Sequence, residues 1–168
     1  STYSKQLKAS GINRINVSLD TLNPKKYKFI TRFGDLNKVL KGIFIAQKNN
    51  IRIKINTVAL KNFNEDEFEE ILIWCNKNNF DLSFIEVMPM GETDSARYLQ
   101  FLPLSDVYNK LNDKFNFYKI DKLTGGPSIY YNSEKLKNNV GFITPITNNF
   151  CANCNRVRIT STGKLYMC

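Results

Sequence analysis

The spacing of apolar segments constrains the fold more than any other feature of this chain. Short β-branched segments begin near residues 12, 51 and 82. Between the first two, the stretch 36–48 carries apolar residues at helical spacing. A strand recurring every roughly thirty to forty residues, with a helix in between, predicts parallel strands joined by crossover helices. The first part of the chain is therefore predicted to be α/β.

Two helix ends are also predicted from local residues. Residues 1–10 have the character of the last turns of a helix, and Gly11, which follows them, can supply a left-handed cap. Asn64, with Glu67 three positions later, predicts the start of another helix. The helical spacing of that segment places Cys75 on its apolar side, so we expect this cysteine to pack in the core.

The pattern changes after residue 116. Short β-type segments separated by turn residues predict an antiparallel, β-rich region. They are 117–121, 128–132, 140–145, 156–160 and 164–167. We therefore expect a βα part over 1–116 and a β-rich C-terminal part over 117–168.

Composition removes several classes of protein. The 168 residues contain no histidine, which excludes a Ser-His-Asp or Cys-His hydrolase built from this chain alone. Hydrophobic residues make up 42%, which argues against disorder, and no apolar run is long enough to span a membrane. The net charge of +9 suggests an acidic partner without identifying it. Because scattered lysines are mostly a solvated surface, we expect no nucleic-acid partner.

Three of the four cysteines form the sharpest motif. Cys151 and Cys154 make a Cys-x2-Cys turn, and Cys168 follows after thirteen intervening residues. A hairpin between them could bring the three sulfurs together, as metal and cluster sites require. A closed zinc site needs a fourth ligand and no histidine is present, so a [4Fe-4S] cluster with one open iron fits better. Three ordinary buried thiols remain the alternative, although this sequence is polar and loop-like.

Two of the six arginines lie beside these cysteines. Arg156 and Arg158 are two apart in a predicted strand, so their side chains leave the same face. Guanidinium groups bind phosphate in a bidentate manner, which suits an anionic ligand held near the cluster. The alternative is a solvated strand face or pairing with carboxylates.

These residues lead to a resemblance. The chain resembles the GTP 3′,8-cyclase family of molybdenum cofactor biosynthesis, within the radical S-adenosylmethionine (SAM) superfamily. The matching segments are 14–22, 84–89, 126–131, 140–146 and the cysteine region 150–168. Cys-x2-Cys-x13-Cys is the specific element among them, whereas Val-Ser-Leu-Asp at 17–20 is shared more widely.

The resemblance implies the C-terminal part of an incomplete TIM barrel and two [4Fe-4S] clusters. A first cluster, bound by cysteines that this chain lacks, would bind SAM and generate a 5′-deoxyadenosyl radical. That radical would abstract hydrogen from C3′ of GTP, and C3′ would then bond to C8 of guanine. The second cluster would bind guanine through its open iron.

The resemblance also implies roles for individual residues. Cys151, Cys154 and Cys168 would be the ligands of the second cluster. GTP would contact four residues: Lys54, Arg156, Val157 and Arg158. SAM would contact Ser18 and Met88, and strand ends are also where a barrel places its site. Considered without the resemblance, Met88 would be a core residue and Lys54 a surface residue.

The resemblance has two departures and several wider implications. The family commonly has arginine where this chain has Ser83, so one basic contact is missing or moved. The second departure is that the family's N-terminal cluster motif, first strands and C-terminal glycine tail lie outside this chain. We therefore expect the chain to be an internal part of a longer protein, unable to cleave SAM alone. A homodimer and a downstream pterin synthase are implied partners, with no membrane partner. A cytoplasmic location is expected in a bacterium, and any targeting peptide would lie upstream.

Two rival functions differ in class. Another radical SAM enzyme with an auxiliary cluster would share the cysteine motif, but such enzymes usually carry more C-terminal cysteines. A zinc-bearing nucleic-acid module would suit the basic charge, but the chain lacks a fourth ligand and a basic helix interleaved with aromatics. Measuring the iron and zinc content would distinguish the zinc-bearing module from the GTP 3′,8-cyclase reading.

Overall fold

A mixed six-stranded sheet organises the part of the chain that the structure, a computed structural model, describes: residues 3–88, 99–122, 126–148 and 157–167. The helices in that part are α1 Ser4–Ala9, α2 Pro24–Thr31, α3 Leu36–Lys48, α4 Phe68–Lys77 and α5 Leu104–Phe115. The strands are β1 Arg14–Ser18, β2 Arg52–Ala59, β3 Asp81–Glu86, β4 Tyr118–Ile120, β5 Ile129–Asn132, β6 Val140–Ile143, β7 Val157–Ile159 and β8 Leu165–Met167. The strand order in the large sheet is β1-β2-β3-β6-β5-β4, and β7 and β8 form a separate hairpin.

The predicted βα succession is confirmed. Strands β1, β2 and β3 pair in parallel, with α3 and α4 as the crossovers between them. Helix α3 has the predicted bounds, and Asp35 caps it by accepting a hydrogen bond from the backbone NH of Lys38. Gly11 has φ +86, the left-handed conformation expected after α1. The chain is therefore α/β with a predominantly parallel sheet.

The second half extends this sheet. Strand β6 pairs in parallel with β3, and β5 and β4 follow in antiparallel order. The antiparallel prediction is therefore confirmed for the pairing of β4 with β5 and of β5 with β6. It was wrong for the pairing of β6 with β3, because a long crossover through α5 returns β6 parallel to β3. The cysteine-bearing part of the predicted region lies in residues 149–156 and 168, outside the described residues, and stays a prediction.

Two helix predictions need correction. Helix α4 begins at Phe68, and Asn64 does not cap it. The Asn64 side chain is fully buried and instead hydrogen-bonds the backbone of Leu60 and of Asp20. Helix α2 was not predicted, although Asn23 and Pro24 give it a side-chain cap and a proline in the first turn.

Helix α5 was not predicted either. It buries residues three and seven positions apart on one side: Leu104, Val107 and Leu111.

The hydrophobic core lies between the helices and one face of the sheet. Val17, Ile55, Leu82 and Val140 occupy one register level of that face across β1, β2, β3 and β6. Cys75, on α4, is 1% exposed in this core, and burial raises the pKa of its thiol. The prediction that Cys75 is a core residue is confirmed. In the described part of the chain, helices reach neither the length nor the apolar character that crossing a bilayer requires.

Candidate functional site

The face of the sheet opposite the core is polar. Ser18, Asn56, Ser83 and Gly141 are register partners across four neighbouring parallel strands, one position away from the apolar level of the core. Side chains alternate between the two faces of a strand, so these four residues share the second face, here called the polar face. Parallel sheets are normally apolar on both faces. A polar level at this place therefore marks a candidate site.

Lys54 is the most telling residue of the polar face. It lies two positions before Asn56 on β2 and is 6% exposed. Its Nζ donates a 2.6 Å hydrogen bond to the hydroxyl of Tyr130, which is itself buried. Among the described residues, no carboxylate lies within ion-pair distance of Lys54. A buried ammonium without a counter-charge is unfavourable, so the polar face suits an anionic ligand.

Small side chains line the polar face between β3, β5 and β6. Ser83 is fully buried, and its hydroxyl lies 3.2 Å from that of Ser128. A Cβ added at Gly141 would collide with both hydroxyls, so only glycine fits between them. The basic contact common in the resembled family therefore does not come from position 83. At this place the polar face carries the hydroxyl groups of Ser83 and Ser128 instead.

Asn56 brings an unused acceptor to the same face. Its Oδ1 is buried and has no hydrogen-bond partner among the described residues. Ser18, its register neighbour and the last residue of β1, is exposed. Buried acceptors are normally satisfied, so Asn56 is suited to accept a hydrogen bond from a ligand hydroxyl or amine.

A buried network fixes the loop that follows β1. The side chain of Asn64 accepts from the backbone NH of Leu60 and donates to the carbonyls of Asp20 and Val58. The Asp20 carboxylate accepts a 2.8 Å hydrogen bond from the backbone NH of Val58. Burial raises the pKa of Asp20, and the hydrogen bond from Val58 partly opposes that rise. The loop that follows Ser18 is thus held in one position.

Glu67 anchors the same loop from the helical side. Its Oε2 accepts from the hydroxyl of Thr21 at 2.6 Å and from the backbone NH of Leu22 at 3.0 Å. Its other oxygen pairs with Lys26 Nζ at 2.8 Å. This carboxylate therefore ties the loop to the start of α4 and to α2.

Glu86 has the corresponding role at the end of β3. Its side chain is 1% exposed and accepts from the backbone NH groups of Leu104, Ile146 and Thr147, at 3.1 to 3.3 Å. The hydroxyl of Thr147 adds a fourth hydrogen bond at 2.6 Å. One buried carboxylate therefore joins the end of β3 to the start of α5 and to the segment after β6. That segment continues, four residues later, into Cys151.

The structure places the predicted site residues in three groups. Ser18 and Lys54 share the polar face, as the register shows. Met88 is half-buried, two residues beyond the end of β3. Val157 and Arg158 are exposed in the separate β7–β8 hairpin. The remaining predicted residues lie outside the described residues; they are Cys151, Cys154, Arg156 and Cys168.

Several residues of the site were missed from the sequence. Tyr130 and Glu86 lie in segments that carry the resemblance, 126–131 and 84–89, but neither they nor Asn56 were assigned a role. Asn56 carries a readable signal, because it stands between Ile55 and Thr57 in a β-branched strand where an amide is unexpected. Glu86 carries the same signal at the end of β3.

Comparisons with known proteins agree with the motif evidence. Residues 80–168 match the family model Molybdenum Cofactor Synthesis C, and residues 3–75 match the Radical SAM superfamily. A GTP 3′,8-cyclase of Rhizobium etli is 51% identical over 168 residues, covering 100% of this chain and 48% of that protein. The GTP 3′,8-cyclase of Brucella ovis is 51% identical over 166 residues, covering 99% of this chain and 48% of that protein. The chain thus spans about half the length of these curated relatives, and the resemblance inferred from the motifs is confirmed.

Proposed function

Because this chain belongs to the Molybdenum Cofactor Synthesis C family, we propose that it forms the GTP-holding part of a radical SAM GTP 3′,8-cyclase. Such an enzyme would convert GTP to 3′,8-cyclo-7,8-dihydro-GTP, the first step of molybdenum cofactor biosynthesis. The observation that carries the proposal is the buried Lys54 on the polar face, which lacks a carboxylate partner among the described residues. The relatives named as GTP 3′,8-cyclases support it independently.

The phosphates of GTP are the proposed counter-charge for Lys54. The hydrogen bond to Tyr130 fixes the direction of the ammonium but leaves its charge uncompensated. A bound phosphate would replace the lost hydration with a charge-assisted hydrogen bond, about twice as strong as a neutral one. Lys54 therefore orients the nucleotide through its phosphates.

The cysteine motif is the proposed ligand set of a [4Fe-4S] cluster. Three thiolates and no histidine are the donor chemistry that iron–sulfur clusters select. The register of the β7–β8 hairpin supports this set, because Val157 pairs with Met167. Cys154 precedes Val157 by three residues, and Cys168 follows Met167 directly. In sequence, Cys154 and Cys168 thus lie close to two residues that pair at one end of the hairpin.

Arg156, Val157 and Arg158 are the proposed GTP-contacting segment beside the cluster. Arg158 is exposed on β7 opposite Tyr166, and no ion pair within the described residues engages it. Its guanidinium group is therefore available for an anionic ligand.

The SAM side of the site is proposed at the ends of β1 and β3. Ser18 and Met88 follow from the resemblance, and the fixed loop after β1 gives Ser18 a defined position. Asn56 adds a buried acceptor beside Ser18 for a ligand hydroxyl or amine. A fixed loop and a buried acceptor at this place suit a reaction that must hold two substrates in a defined relative position and exclude water.

When bound, the clusters and SAM would supply the one-electron chemistry: reductive cleavage of SAM and hydrogen abstraction from the ribose of GTP. The residues of this chain bind and orient. Lys54 and Arg158 neutralise phosphate charge, Asn56 accepts a hydrogen bond, and Glu86 holds the segment leading to the cysteines. The product would pass to a pterin synthase, and a homodimer is part of the proposal.

Replacing Arg158 by alanine tests the GTP-contacting segment. We expect the dissociation constant for GTP to rise about 10-fold, because one charge-assisted contact is lost. The iron content should stay unchanged, since the cysteines are untouched. Lys164→Ala is the matched control, an exposed cation on the same hairpin. Equal GTP binding by Arg158→Ala and the parent protein would remove Arg158 from the site.

A further inference from the structure

A second lysine approaches the same tyrosine as Lys54. Lys122 lies just beyond β4, and its Nζ is 5.2 Å from the centre of the Tyr130 ring. The Nζ of Lys54 is 5.0 Å from that centre, and its hydrogen bond to the hydroxyl places it at the phenol end of the ring. The ammonium groups of Lys54 and Lys122 therefore both lie near one buried tyrosine, although the two lysines are 68 residues apart in sequence.

The two lysines differ in their partners. Lys122 Nζ pairs with the carboxylate of Asp81 at 3.1 Å, and both side chains are close to one-third exposed. Asp81 is the register partner of Lys54 on β3, yet its carboxylate engages Lys122. The group formed by Lys54, Lys122 and Asp81 thus keeps one uncompensated positive charge, next to the polar face.

The ion pair of Lys122 is weak enough to exchange. Partly exposed pairs contribute about 0 to 1 kcal/mol, because water screens them. A phosphate group carries more charge than a carboxylate and offers more acceptor oxygens. Lys122 can therefore leave Asp81 for a phosphate that Lys54 already holds. A chain of phosphates, unlike a single phosphate, can contact two cations placed around one ring.

We propose that Lys122 is a second polyphosphate-binding residue and that Asp81 competes with the ligand for it. The inference rests on the proposed function, since it deepens the GTP site at Lys54. In the free protein, Asp81 forms an ion pair with Lys122, and this ion pair makes the ammonium group of Lys122 less available to the nucleotide. Both ammonium groups lie about 5 Å from the centre of the Tyr130 ring, so the phosphates would lie beside this tyrosine.

Two substitutions with opposite expected effects test the proposal. Lys122→Met removes the second cation and is expected to weaken binding of GTP and of inorganic tripolyphosphate about 10-fold. Asp81→Asn removes the competitor and is expected to strengthen both about 3-fold. Neither should change binding of guanosine, which has no phosphate. Lys119→Met is the control, an exposed lysine on β4 beside this segment.

Isothermal titration calorimetry of the anaerobically reconstituted protein measures the affinity of each variant for GTP, tripolyphosphate and guanosine. If Lys122 and Asp81 only clamp β4 to β3, both substitutions loosen the same contact and shift affinity in the same direction, which would overturn the proposal. Unchanged affinity in both variants would overturn it as well. If the parent protein binds tripolyphosphate but not GTP, the two-lysine site stands and the proposed nucleotide function fails. If it binds neither, both fail.

Discussion

Replacing Glu86 by alanine is expected to lower the free energy of unfolding by about 3 kcal/mol. The reason is the number of donors that depend on one carboxylate: three backbone NH groups and the Thr147 hydroxyl. Each buried donor left without an acceptor costs about 1 to 3 kcal/mol, and water can reach some of the loop donors after the change. For a chain of this size, the melting temperature should fall by about 10 °C.

Glu134→Ala is the matched control for this prediction. Glu134 is exposed, and such a substitution usually changes the free energy of unfolding by less than about 0.5 kcal/mol. Urea unfolding followed by circular dichroism measures both variants. If Glu86→Ala behaves like Glu134→Ala, the carboxylate does not join β3, α5 and the segment after β6 in the way described here.

Replacing Lys54 by methionine is expected to weaken GTP binding by about 10- to 100-fold without lowering stability. Methionine keeps the length of the side chain but removes a buried charge that lacks a carboxylate among the described residues. Removing such a charge relieves a desolvation cost, so the free energy of unfolding should stay level or rise. Loss of affinity together with unchanged stability distinguishes a binding residue from a structural one.

The measurement pairs a GTP titration with urea unfolding of the same Lys54→Met preparation. Lys61→Met is the control, an exposed lysine that follows the same strand. Guanosine binding should be unaffected in both variants, since it involves no phosphate. Unfolding of the Lys54 variant at markedly lower urea, with GTP affinity retained, would assign Lys54 to the fold instead of the site.

The local elements were predictable because their signals are local. Helix α3 follows from one apolar stripe and its cap, and β1 to β3 follow from β-branched segments with helices between them. The missed start of α4 has a physical reason. Asn64 satisfies three backbone groups, the NH of Leu60 and the carbonyls of Asp20 and Val58, and this tertiary demand outweighs its capacity to cap a helix.

The site was less predictable because its contacts are distant in sequence. Lys54 and Tyr130 are 76 residues apart, and Glu86 and Ile146 are 60 apart. Their proximity depends on β6 pairing with β3, a topology that no local pattern encodes. Ser18 was correctly placed at a strand end. Lys54, taken without the resemblance, was expected at the surface and is buried, because Tyr130 from β5 lies beside it.

The most direct test of the proposed function is the iron content of the protein after anaerobic reconstitution, followed by a GTP titration of the cluster spectrum. We expect Cys151→Ser to lose about four irons per chain relative to the parent protein, whereas Cys75→Ala keeps them, since Cys75 is buried in the core. GTP should change the visible and electron paramagnetic resonance spectra of the parent protein but not those of Cys151→Ser. Full iron retention by Cys151→Ser, or one bound zinc and no response to GTP, would contradict a GTP-binding cluster in this chain.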